Sequence, residues 1–284
     1  MIQIHTLTHC PYENLFIAFS DAFSDYARQW SPEEFYAMLQ RRGYTPELSF
    51  GAFDGDRLVS FILNAAGNYN GLRTVYDTGT GTIADYRGRK LVPQLLQASM
   101  PVLKAAGMQQ YLLEVLQDNN KAIQIYQEAG FRISRSFHFS LAGGGDIATR
   151  RKTMPATYHI GEMTVQPERM QACWDFVPAW QNSFEAIARC PQRFLCLGAW
   201  EGDFLVGYGI LEPVSGDITQ LAVHPAYRRQ GIATTLLHAL LARNRSPRIR
   251  VINADTACTH LTAFLDSCEL PLSGSQYEMI LELA

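Results

Sequence analysis

A tyrosine–arginine pair opens the same strand–loop–helix passage twice in this chain, at Tyr86-Arg87 and again 141 positions later at Tyr227-Arg228. Around each pair the order of elements repeats, and this constrains the fold more than any other feature. A period this long lies outside the range of solenoid repeats, so the chain reads as one duplicated domain. Its 284 residues agree with two domains, at roughly 100–200 residues each. The natural joint is Gly143-Gly144-Gly145, followed by the polar run Asp146 to Met154 with its basic Arg150-Arg151-Lys152. The expected boundaries are therefore 1–142 and 155–284.

In the first half, strands are predicted at Ile2 to Leu7, Leu48 to Phe53, Arg57 to Asn64, Leu72 to Ile83, Gln110 to Leu116 and Arg132 to Leu141. Helices are predicted at Tyr12 to Tyr26, Ser31 to Arg42, Leu91 to Ala106 and Asn120 to Ala129. Ser31-Pro32-Glu33-Glu34 combines a cap, a first-turn proline and two acids, a good helix start. Asp54-Gly55-Asp56 is a hairpin turn. In the second half, helical stretches fall at Pro167 to Phe176, Ala179 to Arg189, Ile232 to Arg243 and Thr259 to Cys268. Strands fall at Phe194 to Trp200, Phe204 to Leu211, Ile218 to Val223, Arg248 to Ala254 and Tyr277 to Leu283. Helices inserted among strands in this way give an α/β or α+β layout with a mixed sheet.

Composition excludes several classes. Hydrophobic residues are 47% and charged residues 18%, enough apolar material for sizeable cores. The net charge of −3 suits neither a general nucleic-acid binder nor an anionic-membrane binder, so any basic site is local. The six cysteines include no C-x-x-C pair, which favours a reduced, cytoplasmic setting over a disulfide framework or a zinc site. The seven histidines are scattered, and no metal is expected. The N-terminus lacks the pattern of a signal peptide. No apolar run approaches the roughly 18–20 residues needed to span a bilayer.

The second loop is the more informative one. Leu221-Ala222-Val223-His224-Pro225 leads into Arg228-Arg229-Gln230-Gly231-Ile232-Ala233-Thr234, and Leu236, Leu237, Leu240 and Leu241 follow on one helical stripe. A helix N-terminus there offers unbonded backbone N–H groups and a partial positive charge, which suit a diphosphate. Gly231 and the small Ala233 let phosphate approach the backbone, and the two arginines add charge-assisted donors. The passage resembles the acetyl-CoA loop of the GCN5-related N-acetyltransferases (GNAT), R/Q-x-x-G-x-G/A between a strand and a long helix. The resemblance implies two tandem GNAT domains and acetyl-CoA as the acyl donor.

The first loop is a modified copy. Gly79-Thr80-Gly81-Thr82-Ile83 leads into Arg87-Gly88-Arg89-Lys90-Leu91-Val92, with Lys90 in place of the first required glycine and Val92 in place of the small residue. Downstream, Leu113-Glu114-Val115, Asn119-Asn120-Lys121-Ala122, Tyr126 and Gly130-Phe131 match the family's second signature. They are most similar to the acetyltransferases that modify the N-terminal amine of a ribosomal protein. That resemblance implies Glu114 as base and Tyr126 as acid, with Asn119 added to the loop residues Thr82, Ile83 and Arg87 to Val92 as cofactor-binding. An amine must lose a proton before it attacks a thioester, and the departing thiolate then takes one up. The oxyanion donor it implies is a backbone N–H near Thr82 or Val223.

By alignment the second half lacks this pair: Asn253 stands for Glu114, Leu265 for Tyr126 and Glu269-Leu270 for Gly130-Phe131. Glu212 and Asp217, near the adjoining strands, are candidates for a substitute base, and His224 reads as a loop residue. Arg243, Arg245, Arg248 and Arg250 suit either the CoA 3′-phosphate or a solvated basic face. Each half thus keeps what the other has lost. Glu114 with Tyr126 is the preferred chemical pair. A catalytic second half and a non-catalytic CoA-binding protein are the alternatives. The amine acceptor stays open between a small amine, an aminoglycoside, an amino acid and a peptide N-terminus, with Trp30, Tyr36, Tyr69, Tyr76, Trp174 and Trp180 as candidate walls. Oligomeric state and the number of CoA molecules per chain also stay open.

Overall fold

The computed structural model describes residues 1–25, 29–143, 154–270 and 272–283. Most of the expected joint, residues 144–153, and the end of the first predicted helix lie outside them. The chain divides into unit one, Met1–Ser134 with Tyr277–Ala284, and unit two, Arg135–Gln276.

Unit one runs β1 (Ile2–Thr6), α1 (Tyr12–Ala22), α2 (Pro32–Arg42), β2 (Phe50–Asp54), β3 (Arg57–Tyr69), β4 (Leu72–Thr82), α3 (Leu91–Ala105), β5 (Gln110–Leu116) and α4 (Asn120–Glu128), and then enters β6 (Arg132–Gly143). Strands β1 to β4 form an antiparallel meander. β5 pairs parallel to β4 only over Thr74–Tyr76 against Gln110–Leu112, and β4 continues beyond that point. The signals at α2 act as anticipated. Ser31 Oγ accepts from Glu34 N while the Glu34 carboxylate accepts from Ser31 N, a complete capping box. Gly43 ends the helix at φ 87°, a conformation glycine adopts without steric cost. The core gathers Phe19 and Phe35, with ring centroids 4.4 Å apart, against Phe61 and the α3 stripe Leu91, Leu95 and Leu103.

Unit two runs β7 (Tyr158–Glu162), α5 (Pro167–Met170), α6 (Phe184–Ala188), β8 (Leu195–Glu201), β9 (Phe204–Glu212), β10 (Asp217–Val223), α7 (Ile232–Leu241), β11 (Arg248–Asp255) and α8 (Thr259–Ser267), and then enters β12 (Leu272–Glu282). Strands β7 to β10 are antiparallel, and β10 meets β11 in parallel at a single pair, Asp217 with Arg250. Helix α7 lies close on β9 because Gly209 leaves room: a Cβ there would come 2.6 Å from Leu240.

Three features depart from the sequence expectation. The short edge strand β7 is an addition to it. The two helices expected at Pro167 to Phe176 and Ala179 to Arg189 shrink to α5 and α6 with 3₁₀ turns at Gln171–Cys173 and Trp180–Asn182. Trp174 and Ser183 are extended, Pro178 disfavours a helical Val177, and Ser183 Oγ restarts the helix by accepting from Ala186 N. Finally, β6 passes from unit one into unit two, and β12 passes from unit two into unit one. The neighbour of β5 is therefore the end of the chain, where Leu283 N donates to Gln109 O, and the neighbour of β11 is β6. Among the described residues no helix is long and apolar enough to cross a membrane.

Candidate active site

In unit two, β10 and β11 part after their single parallel pair, and β11 bulges between Val251 and Ala254, with Asn253 at φ 60°. The gap is a cavity of about 460 Å³. Leu221, Ala222 and Val223 of β10 line it, as do Arg228, Arg229, Gly231, Ile232, Ala233 and Thr234 at the loop and the start of α7. Gln230 is not among the lining residues, and its Oε1 accepts from Tyr158 Oη at 2.8 Å. Gly231 is the N-cap of α7 at φ 82°, so the turn that aims the first helical N–H groups needs a residue without a Cβ. Arg228 folds back: its Nε donates to Val223 O at 3.0 Å, and its terminal nitrogen pairs with Asp175 at 2.9 Å. The side chain therefore braces the loop, and Arg229 is the second arginine at the cavity.

The polar groups deeper in the cavity are held by one another. Tyr208 Oη donates to Gln220 Oε1 at 2.5 Å and accepts from Trp174 Nε1 at 2.6 Å, while Gln220 Nε2 donates to Asn182 O at 2.6 Å. Burial pushes the Tyr208 phenol far above its ordinary range. Asn253 accepts from Gln276 Nε2. Leu265 and Ile218 line the same space. The thiol of Cys173, another lining residue, is pushed up by burial to about 11, which keeps it protonated. Neither substitute base reaches the cavity. Glu212 is bound to Arg193 at 2.5 Å and to Ser215, and buried Asp217 sits where the strands are still paired. His224 accepts from Ala226 N and packs edge-on to Tyr227, a loop role.

Unit one builds the same loop with different residues. Arg87 Nε donates to Thr82 O at 3.3 Å and its guanidinium pairs with Asp25 at 2.6 Å, the two contacts Arg228 makes, and it also donates to Ala22 O at 3.1 Å. Gly88 and Lys90 have φ of 80° and 55°, where unit two has Arg229 at 66° and Gly231 at 82°. The two left-handed positions are thus shared, but the glycine occupies the first in unit one and the second in unit two. Arg89 lies 4.3 Å over the Tyr86 ring, and Lys90 is exposed at the N-cap of α3. Ile83 and Leu91 are buried in the core and Val92 packs on it. Asn119 caps α4 by accepting from Ala122 N at 3.2 Å.

Glu114 lies on β5, partly exposed, hydrogen-bonded to the buried Tyr76. Tyr126 on α4 is buried, and its Oη donates to Asp77 Oδ2 at 3.2 Å on β4, one residue past the last β4–β5 pair. Asp77 also accepts from Gly79 N at 2.9 Å and Thr80 Oγ at 2.5 Å. Burial raises its carboxyl to about 6; those bonds and the nearby Arg42 oppose the rise. Sequence reasoning did not single out Asp77. Its signal is the one carboxylate in a strand made mostly of threonines, glycines and apolar residues, and it becomes informative only once Tyr126 is seen to reach it.

The acetyltransferase (GNAT) family model matches residues 14–131 and again 157–264. N-alpha-acetyltransferase 30 of Schizosaccharomyces pombe is 35% identical over 101 residues, which is 34% of this chain and 67% of that protein. Among solved structures, a tandem GNAT protein from the clavulanic acid biosynthesis pathway superposes with a TM-score of 0.71 at 14% identity, covering 100% of this chain and 99% of its own. A GCN5-related N-acetyltransferase from Sphaerobacter thermophilus gives 0.72 at 14% identity over 99% and 96%. At that identity the likeness concerns the fold.

Proposed function

The chain belongs to the GNAT acetyltransferase family, and from that premise we propose that it moves an acetyl group from acetyl-CoA to a primary amine of a small molecule or peptide, by direct attack of the amine on the thioester. The observation that carries this reading is the cavity of about 460 Å³ between the parted strands β10 and β11, ending at the N-terminus of α7. A coenzyme A fits its chemistry. The strand edge at Leu221 to Val223 suits the pantetheine amides, and the N–H groups from Gly231 to Thr234, with Arg229, suit the diphosphate. Acetyl-CoA would supply the activated acyl carbon, and the chain's own backbone N–H groups and side chains would hold it and move the protons.

In this reading unit one performs the transfer. Glu114 is the base and Tyr126 the acid, and the loop from Thr82 and Ile83 through Arg87, Gly88, Arg89, Lys90, Leu91 and Val92 receives a second acetyl-CoA at the N-terminus of α3. Asn119 contributes by fixing α4, the helix that carries Tyr126. Similarity to an N-alpha-acetyltransferase favours a peptide N-terminus among the acceptors. Calorimetric titration with acetyl-CoA and thiol release over a panel of amines test the proposal. Two sites per chain and release with an amine are expected. Tyr126→Phe should lower turnover by roughly 100-fold with unchanged CoA affinity; an unchanged rate removes Tyr126 from the mechanism.

A second reading, a non-catalytic CoA-binding protein, is favoured by one observation. The unit-two cavity presents amides, a phenol held on both sides and protonated thiols, with apolar Ile218 and Leu265 beside them. Tight CoA binding with no thiol release from any amine would establish it.

A further inference from the structure

Within the transferase reading, on which this inference rests, the structure points to a different assignment of the two proton roles, with Tyr126 a relay in place of an acid and Asp77 the acceptor in place of Glu114. We propose that Tyr126 relays the acceptor amine's proton to Asp77, so that Asp77 is the positioning residue behind Tyr126 and the terminus of the proton path.

Three observations carry this. First, a phenol has one proton, and that of Tyr126 is directed at Asp77 Oδ2, 3.2 Å away. What Tyr126 offers to anything else is a lone pair, which receives a proton rather than donating one. Second, the contact spans the opening of the sheet. Tyr126 comes from α4 and Asp77 from β4, at the residue after the last β4–β5 pair, and both are buried, at 7% and 8% exposure. Third, the internal duplicate has lost both partners together. Ile218 occupies the place of Asp77 and Leu265 that of Tyr126, and both line the unit-two cavity. A pair that disappears as a pair behaves as one device.

Each neighbouring element faces Asp77 with a group that tunes it. β4 supplies Gly79 N, the Thr80 hydroxyl and the adjacent Tyr76; α2 supplies Arg42, which also donates to Thr78 O at 2.7 Å. β5 supplies Tyr111, whose hydroxyl is turned to Asn64 of β3 at 2.6 Å and whose phenol the Asp77 charge helps to raise. Glu114 faces Tyr76. The carboxyl at about 6 is ionised at neutral pH and accepts a proton more readily than an ordinary aspartate.

The step balances as follows. The ammonium form of the acceptor gives a proton to Tyr126 Oη as the phenol's own proton passes to Asp77 Oδ2. The neutral amine's lone pair forms the N–C bond, the C–S bond breaks, and the second amine proton leaves with the sulfur as CoA thiol. Asp77 then returns its proton to solvent.

The test is the pH dependence of kcat/KM for acetyl transfer in the whole protein, compared across wild type, Asp77→Asn, Tyr126→Phe and Glu114→Gln, with acetyl-CoA affinity measured for each. Asn keeps the size of Asp77 but only one of its two accepting oxygens, so the pH profile and the acetyl-CoA affinity, rather than the rate alone, separate the relay from a structural role. The relay predicts that Asp77→Asn and Tyr126→Phe each lose the acidic limb near pH 6 and at least tenfold in rate at unchanged CoA affinity, while Glu114→Gln keeps the limb. A limb that survives Asp77→Asn and disappears in Glu114→Gln overturns the relay and leaves the transferase reading standing. No thiol release from wild type with any amine overturns that reading and the relay with it.

Discussion

Set side by side, the two units keep the same braces and differ in the groups that would meet a substrate. In unit one Tyr86 Oη donates to Asp54 and Arg87 to Thr82 O; in unit two Tyr227 Oη donates to Glu201 and Arg228 to Val223 O. Each arginine also pairs with an aspartate, Asp25 or Asp175. Around these constants, the glycine at the helix N-cap remains only in unit two, and the carboxylate–phenol pair remains only in unit one. The tyrosine and arginine that make the repeat visible in the sequence are therefore scaffold. Repetition within one chain reports what the fold needs, and divergence between the copies reports where function has been divided.

The largest effect is expected where that division is sharpest. Gly231→Glu places a side chain at φ 82° and a negative charge where the diphosphate is proposed to sit. CoA affinity at that site should fall by roughly 100-fold or more, about 3 kcal/mol, read by calorimetry. The matching change in unit one, Lys90→Glu, alters a position that already carries a side chain at φ 55° and should cost less, mainly through charge. Equal losses at two sites would erase the distinction between the loops.

The shared braces give the next effect. Arg228→Ala removes the bond to Val223 O and leaves Asp175 without its guanidinium beside the loop. A loss of about 1–3 kcal/mol is expected for a partly buried, charge-assisted contact of this kind. Arg87→Ala should cost less, because its partner Asp25 is 67% exposed and exposed pairs contribute little. Hydrogen exchange of the α7 and α3 amides beyond the first turn would resolve the two. A larger acceleration in α3 on Arg87→Ala than in α7 on Arg228→Ala would show that the first loop relies on its brace more.

Much of this arrangement is legible in the amino-acid sequence. Strand–loop–helix order, the Ser31 capping box and Gly231 at the start of α7 are local patterns, and local patterns are what a sequence displays. The exchange of β6 and β12 between units is not, because partners such as Ser134 and Glu278, 144 residues apart, leave no mark within either segment and meet only in the fold. Asp77 escapes sequence reasoning for the same reason. Its partner Tyr126 lies 49 residues away. The lengths of α5 and α6 are overestimated from sequence because apolar spacing continues through Trp174 and Pro178, where the backbone is turned by capping and proline chemistry.

Asp77 also separates the units through pH. Its folded value, about 6, lies above its ordinary 3.8, so the stability associated with its protonated form is fully present below 3.8 and is lost as pH rises through 6. Wild type should therefore lose stability relative to Asp77→Asn between pH 4.5 and pH 7.5, by on the order of 1–3 kcal/mol. Unit two has Ile218 at this place and provides the control: hydrogen exchange of β10 should show no matching trend. A parallel pH response in β4 and β10 would assign the effect to global charge.

The smallest effect tests the same logic at the far end of the fourth helix. Gly130 follows α4 at φ 96°, and Glu269 follows α8 at φ 55°, so both copies end this helix in the left-handed region. A side chain there carries a steric penalty of roughly 1–2 kcal/mol, offset in part by the greater unfolded-state entropy of glycine. Glu269→Gly should stabilise α8 by up to about 1 kcal/mol, whereas Gly130→Ala should weaken α4, because its Cβ would also come 3.3 Å from Leu281. Slower exchange of the α8 amides in Glu269→Gly is the expected result. No change would mean that Glu269 gains from its surroundings what its backbone loses, and that this departure from the duplicate is a compensated one rather than a relaxed one. The distinction matters for Leu265, one helical turn earlier, because only a relaxed helix end would let the absence of a tyrosine there be read as decay of a former active site.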